Sequence, residues 1–264
     1  KVLENNKRTR SPKLKISELR KYRANMTKVP CGNKELDEML GGGIELEALT
    51  EVYGAFASGK TQFCYSTLVE AMFKHKWKAV WIDCEDTFDP ERLHQIIKAR
   101  GYADGMSVDE IDEFIDQNLQ YTHTPNTDTV VEEVQNLSAK LVEDESIKLI
   151  IIDGATGQFR EEYLGRGTLA SRQQNLAKFM GVLKNSAYFF NVAVLMTNQV
   201  LTNPAQQYGD PIVPVGGHIV GHASTYRLYF KKAGKKRYAT AIDSPKQAVF
   251  DCEFVLTDKG IDNP

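Results

Sequence analysis

No apolar run in the sequence is long enough to cross a membrane, and no charged-then-apolar leader is visible at its start. Cysteine is scarce. Cys31, Cys64, Cys84 and Cys252 show no C-x-x-C spacing and no partnering histidines. That argues against a zinc site or a disulfide framework, and for reduced, mostly buried thiols in a cytoplasmic protein. An excess of one charge is missing too: 33 Lys and Arg stand against 35 Asp and Glu, a net charge of −2. Without a global basic field, any nucleic-acid site must be local. What is present is an ordinary hydrophobic share, 42% of 264 residues, enough for one large α/β domain or two small ones. The first residue is a lysine, which reads as a start with something upstream of it.

The chain is organised around Gly54-Ala55-Phe56-Ala57-Ser58-Gly59-Lys60-Thr61, which fits the G-x-x-x-x-G-K-[ST] phosphate loop at every fixed position. Glycines let successive backbone N–H groups turn inward into a concave anion site. The following helix adds its unpaired N-terminal N–H groups and the positive end of its dipole. Lys60 offers a point charge to the β and γ phosphates, and Thr61 a hydroxyl to the magnesium ion bridging them. The context is the one the motif requires. A strand-like run, Ala48 to Tyr53, precedes the loop, and Phe63, Leu68, Ala71 and Met72 follow at helical spacing.

Around this centre the chain reads in order. Residues 1 to 27 are rich in Lys, Arg and Asn with little apolar periodicity, a basic linker or arm that is either solvated or touches nucleic acid. Asn33 caps a helix from Lys34 to Leu40, stopped by Gly41-Gly42-Gly43. Ala79 to Asp83 is a buried strand ending in Cys84-Glu85-Asp86. Ligands of open α/β sheets sit at the carboxyl ends of strands, so Glu85 either faces the nucleotide or is a surface carboxylate. Pro90 opens a helix closed by Gly101. Ala103 to Asn118 reads as an acidic surface helical insertion, and Asp128 to Val142 as a helix on the sheet face. Lys148 to Asp153 is a continuous apolar run, fit for a strand buried on both faces. Its terminal Asp153 matches the carboxylate that holds magnesium through water in phosphate-loop enzymes. A basic loop, Tyr163 to Gly167, precedes a long helix to about Tyr188, and Val192 to Met196 is a further buried strand. Val200 to Gly217 has three prolines and no periodicity, a long loop of the functional or disordered kind. Tyr226 to Phe230, Arg237 to Ile242 and Cys252 to Leu256 read as strands. The basic turn between the first two, Lys231 to Lys236, reads as a solvated hairpin tip.

In this order and spacing, Gly54 to Gln62, Trp81-Ile82-Asp83-Cys84-Glu85, Phe88-Asp89-Pro90-Glu91-Arg92, Glu162 to Gly167, Arg172-Gln173-Gln174, Thr197-Asn198-Gln199-Val200, Gly216-Gly217-His218 and His222 resemble the ATPase core of the archaeal RadA strand-exchange recombinases, relatives of bacterial RecA. The resemblance runs from about Val29 to Asp262. It implies an α/β, RecA-like phosphate-loop ATPase core over residues 28 to 264, with a mostly parallel central sheet flanked by helices and C-terminal antiparallel strands.

It also implies roles. Glu85 corresponds to the general base, with Lys60 and Gln199 beside it in catalysis. Arg92 corresponds to the guanidinium stacked on adenine, and Gln199 to the amide linking the γ phosphate to a second DNA loop. His222 corresponds to a residue reaching the γ phosphate of a neighbouring subunit, with Asp243 and Pro245 on the nucleotide as well. Gln62 completes the phosphate loop, and Thr61 and Asp153 hold Mg2+. Arg166 lies in a first DNA loop flanked by Arg160 and Arg172; Gln206 and Gln207 lie in the second. ATP between subunits would join a filament around single-stranded DNA that pairs with double-stranded DNA. The alternatives are a non-exchanging regulatory paralogue and a ring-forming helicase motor.

The sequence departs from the family pattern in four places. Ala55 replaces an acidic residue, and Gly154 a serine. Gln247-Ala248-Val249 lacks the proline that covers adenine. The Phe-x-x-Ala polymerisation motif and a helix-hairpin-helix domain do not occur, and Val2-Leu3-Glu4 resembles what directly follows that motif. The expectation is a mostly monomeric fragment with an apolar pocket open to a Phe-x-x-Ala peptide.

Overall fold

The computed structural model describes residues 15–162, 169–202, 212–245 and 251–264. Their elements are, in order, α1 (Ile16–Ala24), β1 (Lys28–Val29), α2 (Lys34–Met39), β2 (Ile44–Glu45), β3 (Leu49–Gly54), α3 (Lys60–Phe73), β4 (Lys78–Asp83), α4 (Pro90–Ala99), α5 (Val108–Asn118), β5 (Leu119–His123), α6 (Thr127–Glu143), β6 (Ile147–Asp153), α7 (Gly157–Glu162), α8 (Leu169–Phe190), β7 (Ala193–Asn198), β8 (Val200–Thr202), β9 (Ile212–Pro214), α9 (Gly217–Ala223), β10 (Tyr226–Ala233), β11 (Lys236–Asp243), β12 (Asp251–Thr257) and β13 (Gly260–Asp262).

Among the described residues one sheet has nine strands in the order β13-β12-β11-β10-β3-β7-β6-β4-β5. From β10 to β5 every pairing is parallel; from β10 outward to β13 every pairing is antiparallel. The reason is visible in the residues. β3 and β7 are buried along their whole length, and β4, β6 and β7, covered on both faces, carry apolar runs rather than alternation.

The strand period of two still sorts those runs into two cores. Ala79, Trp81, Leu149, Ile151, Ala193 and Leu195 face the side of α3, α4 and α5. Val80, Ile82, Ile150, Ile152, Val194 and Met196 face α6, α7, α8 and α9. The sheet is thereby sandwiched between two helical layers, which is the α/β, RecA-like architecture. Because β3, β4, β6 and β7 are parallel, their carboxyl ends share one edge of the sheet, where the phosphate loop begins.

Four stretches differ from the sequence expectations. Residues 16 to 24 form helix α1, with no buried residue. Its Tyr22 hydroxyl donates to Glu47, and Arg23 pairs with Glu45 at 3.7 Å. With no apolar face to bury, the helix leaves no periodic trace in the sequence. Ala103 to Asn118 is not a surface insertion: Ile111 is fully buried, and Phe114 stacks on Phe73 at 4.5 Å. Helix α5 is instead a crossover into β5, an edge strand whose alternation of Gln120, Tyr121, Thr122 and His123 is polar on both faces. The long loop after Val200 has a stem, since β8 pairs antiparallel with β9, Val200 opposite Pro214. Finally, β13 is added beyond β12, with Ile261 N donating to Ser66 Oγ on α3 at 2.9 Å.

Candidate functional site

The phosphate loop leaves β3 at Gly54 and enters α3 at Gly59. The turn needs a left-handed backbone twice: Ala57 has φ +59° and Gly59 φ +107°. At Gly59 the φ of +107° strains any side chain, and an added Cβ would press on the Phe254 ring at 3.1 Å. No side chain caps α3, so its first N–H groups stay open to an anion. Ser58 is fully buried, and its Oγ has no partner. Lys60 Nζ lies across the loop, donating to Gly54 O at 3.0 Å and Ala55 O at 3.1 Å. Burial pulls its pKa down, while Glu85 and Asp153 pull it up. Two backbone carbonyls of the loop thus take the place of water around the ammonium.

The acids come from the neighbouring strand ends. Asp153, at the end of β6, is 1% exposed. Thr197, on β7, donates its hydroxyl to Asp153 Oδ1 at 2.5 Å and accepts Gly154 N at 2.8 Å. The other oxygen, Oδ2, is buried without a partner. Burial raises the Asp153 pKa to about 6, against the lowering effect of the Thr197 and Thr61 hydroxyls. An orphaned buried carboxylate oxygen beside a threonine hydroxyl is the donor set a hard divalent cation takes. The residues present therefore fit Mg2+, which Asp153 and Thr61 would hold.

Glu85 follows β4. Its position is set by Asp83, whose carboxylate accepts Glu85 N at 3.0 Å, Thr87 N at 2.9 Å and Phe88 N at 2.9 Å. The fully buried Asp83 thus folds the turn that presents Glu85, a role the sequence reading did not assign. The signal for it was a carboxylate closing an apolar strand two residues before another. Glu85 itself is exposed, and its Oε1 accepts Gln199 Nε2 at 2.7 Å. Glu85 is near enough to Lys60 and to Asp153 to act on both electrostatically, so this exposed carboxylate stands beside the phosphate loop.

Arg92, on α4, donates from Nε to Gln62 Oε1 at 2.8 Å and from Nη2 to Thr257 O at 2.6 Å. It joins the first turn of α3 to the β12–β13 turn. His222 and Asp243 come together elsewhere. With His218 and Arg227 they line a cavity of about 380 Å3 that contains no phosphate-loop residue. The His218 and His222 rings lie 5.9 Å apart. Pro245 is exposed beyond the end of β11. Arg160 and Arg172, from α7 and α8, line a second cavity of about 360 Å3 together with Leu201, Pro214 and His218. That puts two cationic side chains beside the β8–β9 stem. Arg166, Gln206, Gln207 and the altered stretch Gln247-Ala248-Val249 lie outside the described residues. The hairpin tip at Lys231 to Lys236 is exposed, and Lys236 pairs with Glu253 at 3.0 Å.

Comparison with known proteins bears on the whole arrangement at once. The Rad51 family model matches residues 22–264. The chain belongs to the Rad51 family. It is 44% identical over 252 residues to the DNA repair and recombination protein RadA of Cenarchaeum symbiosum, an alignment covering 93% of this chain and 61% of that relative. It is 40% identical over 261 residues to the protein of the same name from Ignicoccus hospitalis, covering 94% and 76%. It is also 40% identical over 246 residues to that of Aeropyrum pernix, covering 91% and 74%. The chain thus spans about three-fifths to three-quarters of the length of these relatives. No helix among the described residues is long and apolar enough to cross a membrane, and the four cysteines are buried and unpaired.

Proposed function

We propose that this chain is the ATP-hydrolysing core of a DNA-dependent strand-exchange recombinase. The observation that carries the reading is the Gln199–Glu85 hydrogen bond of 2.7 Å, whose carboxylate also acts electrostatically on Lys60 and on the buried Asp153. A carboxylate beside a phosphate site can orient a water and accept its proton. Lys60 and the open N–H groups of α3 would hold the phosphates and stabilise the charge that develops on them. Asp153 and Thr61 would hold Mg2+, which when bound supplies positive charge to the phosphate oxygens. Arg92 has its guanidinium edge tied by hydrogen bonds to Gln62 and the β12–β13 turn, and its planar face would stack on adenine. Gln199 is both the partner of Glu85 and the residue before β8, so it connects the hydrolytic centre to the stem of the second loop.

On the DNA side, Arg160 and Arg172 flank the first loop and would contact phosphates of single-stranded and double-stranded DNA without reading sequence. Self-association into filaments places His222, Asp243 and Pro245 on the nucleotide of a neighbouring subunit. The edge strand β5, with Tyr121 43% exposed, is a surface open to an added strand or a Phe-x-x-Ala peptide. Such a protein works in the cytoplasm. A regulatory paralogue or a ring helicase is the less favoured reading, since the named relatives are recombination proteins over most of the chain. The test is a strand-exchange assay beside single-stranded DNA-stimulated phosphate release. Turnover with rings in electron micrographs and no exchange would overturn the recombinase assignment.

A further inference from the structure

Glu51 lies at the middle of β3 and is fully buried. A carboxylate persists in such a place only when it is paired and hydrogen-bonded. Its two oxygens serve two different strands. Oε1 accepts Asn198 Nδ2 at 2.6 Å, and Oε2 accepts Arg227 Nε at 2.7 Å. β7 and β10 are the neighbours of β3 on either side, so one anion ties the two together.

Each arm ends at something functional. Asn198 is the residue before Gln199. Its amide also donates to Val215 O at 2.8 Å, and its Oδ1 accepts the Thr156 hydroxyl. Val215 N in turn donates to Gln199 O at 3.0 Å. The backbone on which Gln199 rides is therefore pinned from Glu51. On the other arm, the Arg227 guanidinium lies over the Tyr53 ring at 5.4 Å. Helix α9 closes on it at Gly221, where an added Cβ would come 3.1 Å from Arg227 Nη1. Arg227 lines the same cavity as His222 and Asp243.

We propose that Glu51 is a positioning residue that makes the placement of Gln199 and the placement of α9 a single variable. This inference rests on the nucleotide reading above. When Gln199 exchanges Glu85 for a bound phosphate, Asn198 moves with it. The shared carboxylate carries the displacement to Arg227, and through Arg227 to the helix that bears His222. Neither Glu51 nor Arg227 touches the nucleotide in this scheme.

Glu51→Gln tests it. The amide offers one acceptor and one donor where two donors arrive, so at least one arm must break. Amide hydrogen exchange is followed in residues 197–202 and 212–223, with and without a non-hydrolysable ATP analogue, and analogue affinity is measured by calorimetry. In the parent chain the analogue is expected to slow exchange at least tenfold in both segments. In Glu51→Gln the analogue should bind within twofold of parental affinity and protect only residues 197–202. Parental protection of both segments in the variant overturns the proposal. So does an analogue that binds the parent without slowing residues 212–223. Affinity that falls in step with a general rise in exchange would mark Glu51 as a fold-stabilising residue only, and also overturns it. An analogue that fails to bind the parent refutes the nucleotide reading itself, a result the same titration reads separately. If Glu51→Gln does not fold, Arg227→Lys carries the test, since it keeps the charge pair and loses the Nε contact. Its expected result is the same loss at residues 212–223, and full protection there counts against the proposal.

Discussion

Gly154 is pressed against Glu85: a Cβ added to Gly154 would lie 2.4 Å from Glu85 Cγ and 2.9 Å from Oε1. Gly154 also has φ +84°, a conformation that a side chain disfavours. The serine that the family pattern has at this position would require a different backbone or a different Glu85 rotamer here. In this chain the missing side chain is what lets Glu85 fold down to meet Gln199.

Gly154→Ala should therefore displace Glu85. Analogue affinity should be retained, while turnover falls roughly 10- to 100-fold, the usual effect of misplacing a reacting group by about an ångström. The left-handed backbone adds a stability loss of about 1–2 kcal/mol, read as a lower Tm. Parental turnover in a folded Gly154→Ala chain would show that Glu85 acts from another rotamer.

Lys60→Ala and Glu85→Gln should separate binding from hydrolysis. The first removes a charge aimed at the phosphates and should cost on the order of a hundredfold in analogue affinity by calorimetry. The second keeps shape and binding but cannot accept a proton, and phosphate release should drop by about 10²- to 10⁴-fold. Hydrolysis by Glu85→Gln at the parental rate would remove Glu85 from the role of base.

Arg160→Ala and Arg172→Ala should weaken single-stranded DNA binding with little change in sequence preference. Each should lower the slope of log affinity against log salt by about 0.7, one phosphate contact on a single strand. Fluorescence anisotropy over a salt series on several oligonucleotides measures it. Unchanged slopes would place both cations off the DNA path.

One pH effect belongs to the fold rather than the site. Lys78 and Ser146 hold Asp144, lowering its pKa from the ordinary 3.8 to about 2. A depressed carboxylate contributes stability that is full above its unfolded pKa and disappears as pH falls towards the folded one. Asp144→Asn should thus be less stable than the parent at pH 7. The gap should stay under about 1 kcal/mol because the pair is partly exposed. It should close between about pH 4 and pH 2, as denaturant melts at several pH values would record. A gap that widened on acidification would mean the ion pair is not its source.

What the sequence determined by itself is local. The phosphate loop is a contiguous stretch whose glycines and lysine act on their own neighbours. β4, β6 and β7 announce themselves as unbroken apolar runs, because strands covered on both faces need them. Asn33 and Asp89 cap their helices through contacts within three residues, and Pro90 takes the first helical position of the second. What the tertiary structure decided lies between distant segments. Glu85 and Gln199 are 114 positions apart, and Glu51 and Arg227 are 176 apart. No spacing rule links such pairs: the first meets because parallel strands bring their carboxyl ends to one edge of one sheet, the second because β10 lies beside β3 with Arg227 in register with Glu51. The same holds for β5, β13 and α1. The first is polar on both faces, the second three residues long, and the third buries nothing, so each is held by its neighbours rather than by a pattern of its own. Glycine at position 154 was legible as a departure from the family, but its reason is the Glu85 side chain packed against it, which only the folded chain supplies.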